Sequence, residues 1–126
     1  MTREKPESSD VVLVADDEAL LRMNAAEVLE EEGYEVLEAS NAAEATQVLE
    51  GRPDVRVLFT DIQMPGELDG LDLARHVHER WPEVLLLVTS GRLRLDEADI
   101  PDHGRFIAKP YAARELLSEL RQLRGA

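Results

Sequence analysis

Asp61 closes an apolar run, Val57-Leu58-Phe59-Thr60, and three other runs of the same kind also end in polar residues. Val11-Val12-Leu13-Val14-Ala15 ends in Asp16-Asp17, Leu85-Leu86-Leu87-Val88 in Thr89-Ser90, and Phe106-Ile107-Ala108 in Lys109-Pro110. If the runs are neighbouring parallel strands, three carboxylates, a hydroxyl and an ammonium meet at one edge of a sheet. Ligands of open α/β sheets bind there, beyond the carboxyl ends of the strands. Two carboxylates about 4 Å apart repel by roughly 4 kcal/mol at an effective dielectric near 20. A hard divalent cation removes that cost, and Mg²⁺ suits a few carboxylates, several waters and a phosphate oxygen. A carboxylate can also attack phosphorus and form an acyl phosphate. Such a transfer asks mainly for positioning and for neutralisation of the phosphoryl oxygens. Mg²⁺, the Lys109 ammonium and the Thr89 hydroxyl can each serve one oxygen.

Taken singly, these residues have plainer explanations. Asp16-Asp17 fits a helix N-cap followed by an acid that complements the helix dipole. Lys109 fits a surface lysine, and Thr89 a β-branched strand residue. Their joint placement at strand ends is what favours a site.

The elements that must position them follow from the rest of the chain. The 126 residues suffice for one domain, and the 44% hydrophobic content supports a core despite 33% charged residues. A net charge of -13 argues against nucleic acid or an anionic membrane surface as direct partner. Without cysteine, disulfides, thiolate metal sites and Cys nucleophiles are excluded. Residues Met1 to Asp10 are polar and read as a flexible tail, not a secretory signal. No apolar run reaches the length of a membrane span, so the chain reads as a soluble cytoplasmic protein.

From Val11 onward, short apolar strands alternate with helical stretches, the pattern of repeated βα units on a parallel sheet. Leu21, Ala25, Val28 and Leu29 form a helical stripe that stops at Gly33. Tyr34 to Ala39 is a second strand. Asn41-Ala42-Ala43-Glu44 has the form of a capping box, opening a helix with Ala45, Val48 and Leu49 inward. Leu71, Ala74, Val77 and Trp81 mark a third helix before Pro82, and Leu116, Leu117, Leu120 and Leu123 a last one. Between strands four and five, Pro101 and Gly104 allow one or two helical turns at most, so this helix is expected to be short or irregular. No output domain is expected after the last helix.

Asp16-Asp17, Asp61-Ile62-Gln63-Met64-Pro65, Asp69-Gly70, Thr89 and Lys109-Pro110 resemble the receiver domain of bacterial two-component response regulators, over residues 11 to 124. The resemblance implies a single doubly wound (βα)5, flavodoxin-like domain with a parallel five-stranded sheet of order 2-1-3-4-5. It implies Asp61 as phosphoacceptor and a Mg²⁺ site in which Asp17 is a direct ligand, Asp16 acts through water and Gln63 offers its backbone carbonyl. Thr89 and Lys109 would contact the phosphoryl group, and Phe106 would be the switch aromatic that turns inward with Thr89. The Lys109-Pro110 bond would be cis. The implied partners are a histidine kinase or histidine phosphotransfer protein and a downstream protein effector. The protein would be a stand-alone regulator, as in chemotaxis, that phosphorylates and slowly dephosphorylates itself without being a turnover enzyme.

Three features depart from the family pattern. The Pro65 to Gly70 loop is one residue longer, Phe106 lacks the hydroxyl of a tyrosine, and the fourth helix is curtailed. A haloacid-dehalogenase-type hydrolase also uses an aspartyl nucleophile, but needs a second aspartate where Gln63 stands. An adaptor with a dead site is disfavoured because no key residue is missing. His78-Glu79-Arg80-Trp81-Pro82 has the wrong spacing for a kinase phosphoacceptor box, and His76, His78 and His103 lack metal-ligand spacing. Arg92 and Arg94 read as a solvated loop.

Overall fold

Five runs dominated by Val, Leu, Ile and Phe form five strands: β1 Val11–Ala15, β2 Glu35–Ala39, β3 Val55–Asp61, β4 Leu85–Ser90 and β5 Arg105–Ala108. They are joined in one parallel sheet of order β2-β1-β3-β4-β5. The computed structural model describes residues 10–64, 66, 69–91, 99–101 and 104–123. Among these, the helices are α1 Ala19–Glu31, α2 Ala42–Gly51, α3 Gly70–Arg80 and α4 Ala113–Leu123. The doubly wound fold and the 2-1-3-4-5 order agree with expectation. Residues 92–98, 102 and 103, on which the short fourth helix and Arg92, Arg94 and His103 fall, lie outside the described residues. So do residues 1–9 of the expected tail and Pro65, Glu67 and Leu68 of the lengthened loop.

Strand side chains alternate between the two faces, which splits the core in two. Leu13, Leu58, Leu86 and Val88 pack with α2 and α3 through Ala45, Leu49, Leu73 and Val77. Val12, Val14, Val57, Phe59 and Leu87 pack with α1 and α4 through Ala25, Leu29, Leu116 and Leu120. Central strands covered on both faces carry unbroken apolar runs because neither face meets water.

The helix ends follow local chemistry. Gly33 takes φ 100° just past α1, where Gly33 N–H donates to Glu30 O and Tyr34 N–H to Leu29 O. That pair of bonds closes the helix as a Schellman turn, which favours glycine at the left-handed position. Asn41 caps α2 by accepting from Glu44 N–H at 2.8 Å. The Glu44 carboxylate reaches back one residue further than a capping box requires, to the amide and hydroxyl of Ser40. Asp69 and Asp72 form a full capping box on α3.

Two expectations shift. Leu21 does not join the buried stripe of α1, whose buried residues are Ala25, Ala26 and Leu29. It lies in the first turn of α1, and Leu20, Leu21 and Met23 remain exposed. Trp81 lies beyond α3 as its C-cap, with Arg80 over its ring at 4.6 Å and His76 edge-on at 6.1 Å.

Candidate functional site

The β3–β4 register pairs Asp61 with Thr89, and the β4–β5 register sets Ser90 beside Ala108, one residue before Lys109. β1 delivers Asp16 next to them. Bonds between strand ends hold this edge together. Asp16 N–H donates to Ala39 O, Ile62 N–H to Thr89 O and Lys109 N–H to Ser90 O. Arg22 ties Asp16 down from α1, its Nη1 donating to Asp16 O at 2.9 Å while its Nε pairs with Glu38 at 2.9 Å. The Lys109-Pro110 bond is cis, as the resemblance implies.

Lys109 Nζ sits amid three carboxylates, 3.1 Å from Asp61 Oδ2, 3.2 Å from Asp16 Oδ2 and 3.5 Å from Glu18 Oε1. Asp16 and Asp61 are buried. Burial pushes the Asp61 carboxyl up, Lys109 opposes that, and Asp16 adds to the rise. Burial alone would lower Lys109, but its bond to Asp61 and the nearby Asp16 charge outweigh it, so its ammonium is strengthened. The two shifts differ in origin: burial raises Asp61, whereas the neighbouring carboxylates raise Lys109. Lys109 is amply compensated, whereas Asp61 receives only part of a positive charge. Two negative charges are left over in the cluster.

Asp16, Glu18 and Asp61 each offer a carboxylate oxygen, all within 4.8 Å of one another. This hard-oxygen set with excess negative charge fits a hard divalent cation. Among the described residues no histidine joins that group. Sequence reasoning set Asp17 in the cluster. The structure leaves Asp17 exposed on the wall of the same open pocket, a cavity of about 620 Å³ also lined by Glu18, Asp61, Gln63, Gly91 and Lys109. Glu18 comes in because its amide donates to Asp16 Oδ1 at 2.9 Å, a tight turn that folds the chain back over Asp16. That aspartate-led turn was a legible signal for Glu18. It also disposes of the plainer explanation of Asp16-Asp17. The N-cap of α1 is Glu18, no side chain caps it, and its first turn holds no acid.

Thr89 is 1% exposed, and its Oγ1 has no hydrogen-bond partner among the described residues. A buried hydroxyl left without a partner costs about 1–3 kcal/mol, so such groups are uncommon. Paired residues of parallel strands project to the same face, which sets this hydroxyl beside Asp61. Gln63 N–H donates to Asp61 Oδ1 at 3.2 Å, and the Gln63 side chain is held by Ser90 Oγ at 2.8 Å. Phe106 is half-buried against the α2–α3 side of the core, paired in register with Val88.

The family model of the response regulator receiver domain matches residues 12–121. The chain belongs to that family. This receiver domain is 31% identical over 115 residues to the response regulator receiver protein CpdR of Brucella abortus (strain 2308), covering 89% of this chain and 94% of CpdR. It is 36% identical over 110 residues to the transcriptional regulatory protein PdtaR of Mycobacterium tuberculosis, covering 84% of this chain but 52% of PdtaR. Among solved structures, the CheY-like receiver domain protein of Methanospirillum hungatei JF-1 matches with TM-score 0.82 and 26% identity, covering 92% of this chain and 94% of that one. The receiver domain of the hybrid histidine kinase CckA matches with TM-score 0.78 and 28% identity, covering 90% and 97%.

The electrostatics reach Tyr111, two residues past Lys109, whose ring meets Phe59 edge-on at 5.7 Å. Burial pushes its phenol up from 10.0 to about 12, and the Asp16 and Asp61 charges push the same way. The folded phenol therefore holds its proton longer than the unfolded one. Its contribution to stability is complete below pH 10 and is lost as pH rises from 10.0 through about 12. We expect the phenolate absorbance difference between wild type and Tyr111→Phe to titrate with a midpoint of about 12. A midpoint at the ordinary tyrosine value would refute this environment.

Proposed function

We propose that Asp61 accepts a phosphoryl group from a phosphohistidine on a histidine kinase or histidine phosphotransfer protein, in a Mg²⁺-dependent reaction. Residues 11–126 form the receiver unit in this reading. Three observations at one sheet edge carry it together: the buried Asp61, the Lys109 ammonium 3.1 Å away, and the unpartnered Thr89 hydroxyl paired with Asp61 in register.

An Asp61 carboxylate oxygen attacks phosphorus as the bond from phosphorus to the donor imidazole nitrogen breaks, and the bonding electrons stay with that nitrogen. Lys109 is placed to follow the phosphoryl group because it already lies against the attacking carboxylate. Thr89 donates a hydrogen bond to a second phosphoryl oxygen and gains the partner it lacks. Gln63 N–H steadies Asp61 from the side. Asp16, Asp17, Asp61 and the Gln63 backbone carbonyl would hold Mg²⁺, which when bound supplies positive charge against the phosphoryl oxygens. Movement of Thr89 toward the phosphoryl group empties space beside β5 and draws Phe106 inward, altering the surface that a protein effector meets. The same product can pass its phosphoryl group to another protein or lose it slowly to water. No nucleic-acid or membrane partner is needed. The net charge is -13, and among the described residues no helix is long and apolar enough to cross a membrane.

Incubation with acetyl phosphate and Mg²⁺ tests the reading. One phosphoryl group per chain is expected, labile to alkali and hydroxylamine, formed once without continued turnover and absent when the cation is chelated. Labelling that is indifferent to chelation, or repeated turnover of the donor, would overturn it.

A further inference from the structure

We propose that Glu18 is a further side-chain carboxylate of the divalent-cation site, where it lies against Lys109. The inference rests on the reading of the pocket as a cation-dependent phosphoacceptor site and adds a residue that the family resemblance does not assign to it.

Two features place Glu18 in the site. Its amide is turned onto Asp16 Oδ1 at 2.9 Å, so its backbone is bound to the carboxylate beside it. Its own carboxylate then lies 3.5 Å from Lys109 Nζ, with an oxygen within 4.8 Å of oxygens from Asp16 and Asp61. Packing does not force this position, because the Glu18 side chain is 61% exposed and has open solvent to extend into. Asp16 and Asp61 are only 6% and 4% exposed at their side chains, so neither can turn away from its neighbours. The attraction that draws Glu18 in is the Lys109 ammonium, itself 14% exposed.

The charge balance gives this arrangement a purpose. One ammonium facing Asp16, Glu18 and Asp61 leaves two negative charges, and Asp17 on the pocket wall adds to them, an excess that a divalent cation offsets. The buried Thr89 hydroxyl, paired in register with Asp61, is a second polar group on this edge left without a protein partner among the described residues. Glu18 would join Asp16, Asp17, Asp61 and the Gln63 backbone carbonyl in holding the cation, while Lys109, 3.1 Å from Asp61 Oδ2, stays beside the attacking carboxylate. The glutamate stem, one methylene longer than aspartate, suits a residue that must reach the centre from the rim of the pocket.

Titration calorimetry with Mg²⁺ alone on the full chain decides the matter. Glu18→Gln keeps the size of the side chain and removes its charge. Neighbours of a metal site typically contribute ten- to a hundredfold in affinity, so we expect Mg²⁺ to bind Glu18→Gln about tenfold more weakly than wild type. Glu30→Gln, an equal loss of charge at an exposed position further along α1, should stay within about twofold. Wild-type affinity in Glu18→Gln, or equal weakening in both variants, overturns the role of Glu18 and leaves the phosphoacceptor reading intact. A wild type that neither binds Mg²⁺ nor takes label from acetyl phosphate overturns both.

Discussion

Asp61→Asn is expected to lower labelling by acetyl phosphate by at least about a hundredfold while leaving the domain folded. The carboxylate of Asp61 is the proposed nucleophile, and an amide offers no comparable oxygen for attack on phosphorus. Asp16 cannot replace it. Asp16 Oδ1 is engaged by the Glu18 amide, and its backbone is clamped by Arg22 and Ala39. The stability effect should have the opposite sign from that of most core substitutions. Burial and the Asp16 charge hold the Asp61 carboxyl above its ordinary range, so at neutral pH the ionised form works against the fold. The sign follows from linkage: a raised carboxyl contributes stability below its unfolded value of 3.8 that is lost as pH rises through its folded value, and a neutral amide removes that penalty. Lys109 retains Asp16 and Glu18 as partners in the variant. Intact-mass measurement after acetyl phosphate treatment, together with a thermal melt, separates the two effects. Undiminished label on Asp61→Asn would place the phosphoacceptor elsewhere.

Gly70→Ala is expected to destabilise the domain by about 3 kcal/mol, near the upper end for overpacking, because the new atom meets backbone that cannot rotate away. A Cβ at Gly70 would lie 1.9 Å from Asp61 O, 2.7 Å from Asp61 C and 2.9 Å from Ile62 Cα. Gly70 opens α3, and its amide donates to Ile62 O at 2.9 Å, so the helix start is docked directly on the strand end that carries Asp61. Relief requires α3 and the end of β3 to separate, which displaces the Asp61 carboxylate from Lys109. The intrinsic preference of alanine over glycine in a helix, about 1 kcal/mol, is too small to compensate. For a domain of this size the melting temperature should fall by ~10 °C, and acetyl phosphate labelling at a temperature where the variant is folded should also slow. A melting temperature equal to wild type would show that the contact relaxes at no cost.

The chemistry of the site was legible wherever it depended on which residue ends a strand. Asp16, Asp61, Thr89 and Lys109 follow apolar runs, and strands buried on both faces need such runs whatever their neighbours are. The parallel sheet and its helices were legible for the same reason. Helix ends were partly so: Asn41, Asp69 and Gly33 act through bonds to residues within five positions of themselves. Leu21 was misplaced because periodicity says which side of a helix a residue occupies. It does not say whether the sheet extends far enough to cover that turn.

What the sequence alone determined was therefore the fold class, the strand ends and most of the polar side chains gathered at them, all consequences of local pattern and polarity. Tertiary structure alone decided how those groups share charge. Lys109 meets Asp16 across 93 positions of chain and also lies 3.5 Å from Glu18, while Asp17 stays exposed on the pocket wall. The missing partner of Thr89 and the contact between Gly70 and Asp61 O are likewise distances between elements brought together by folding. Residue types specify what a group can do. Its charge state and bonding depend on the inverse distance to every neighbour, and those distances exist only once the strands are in register.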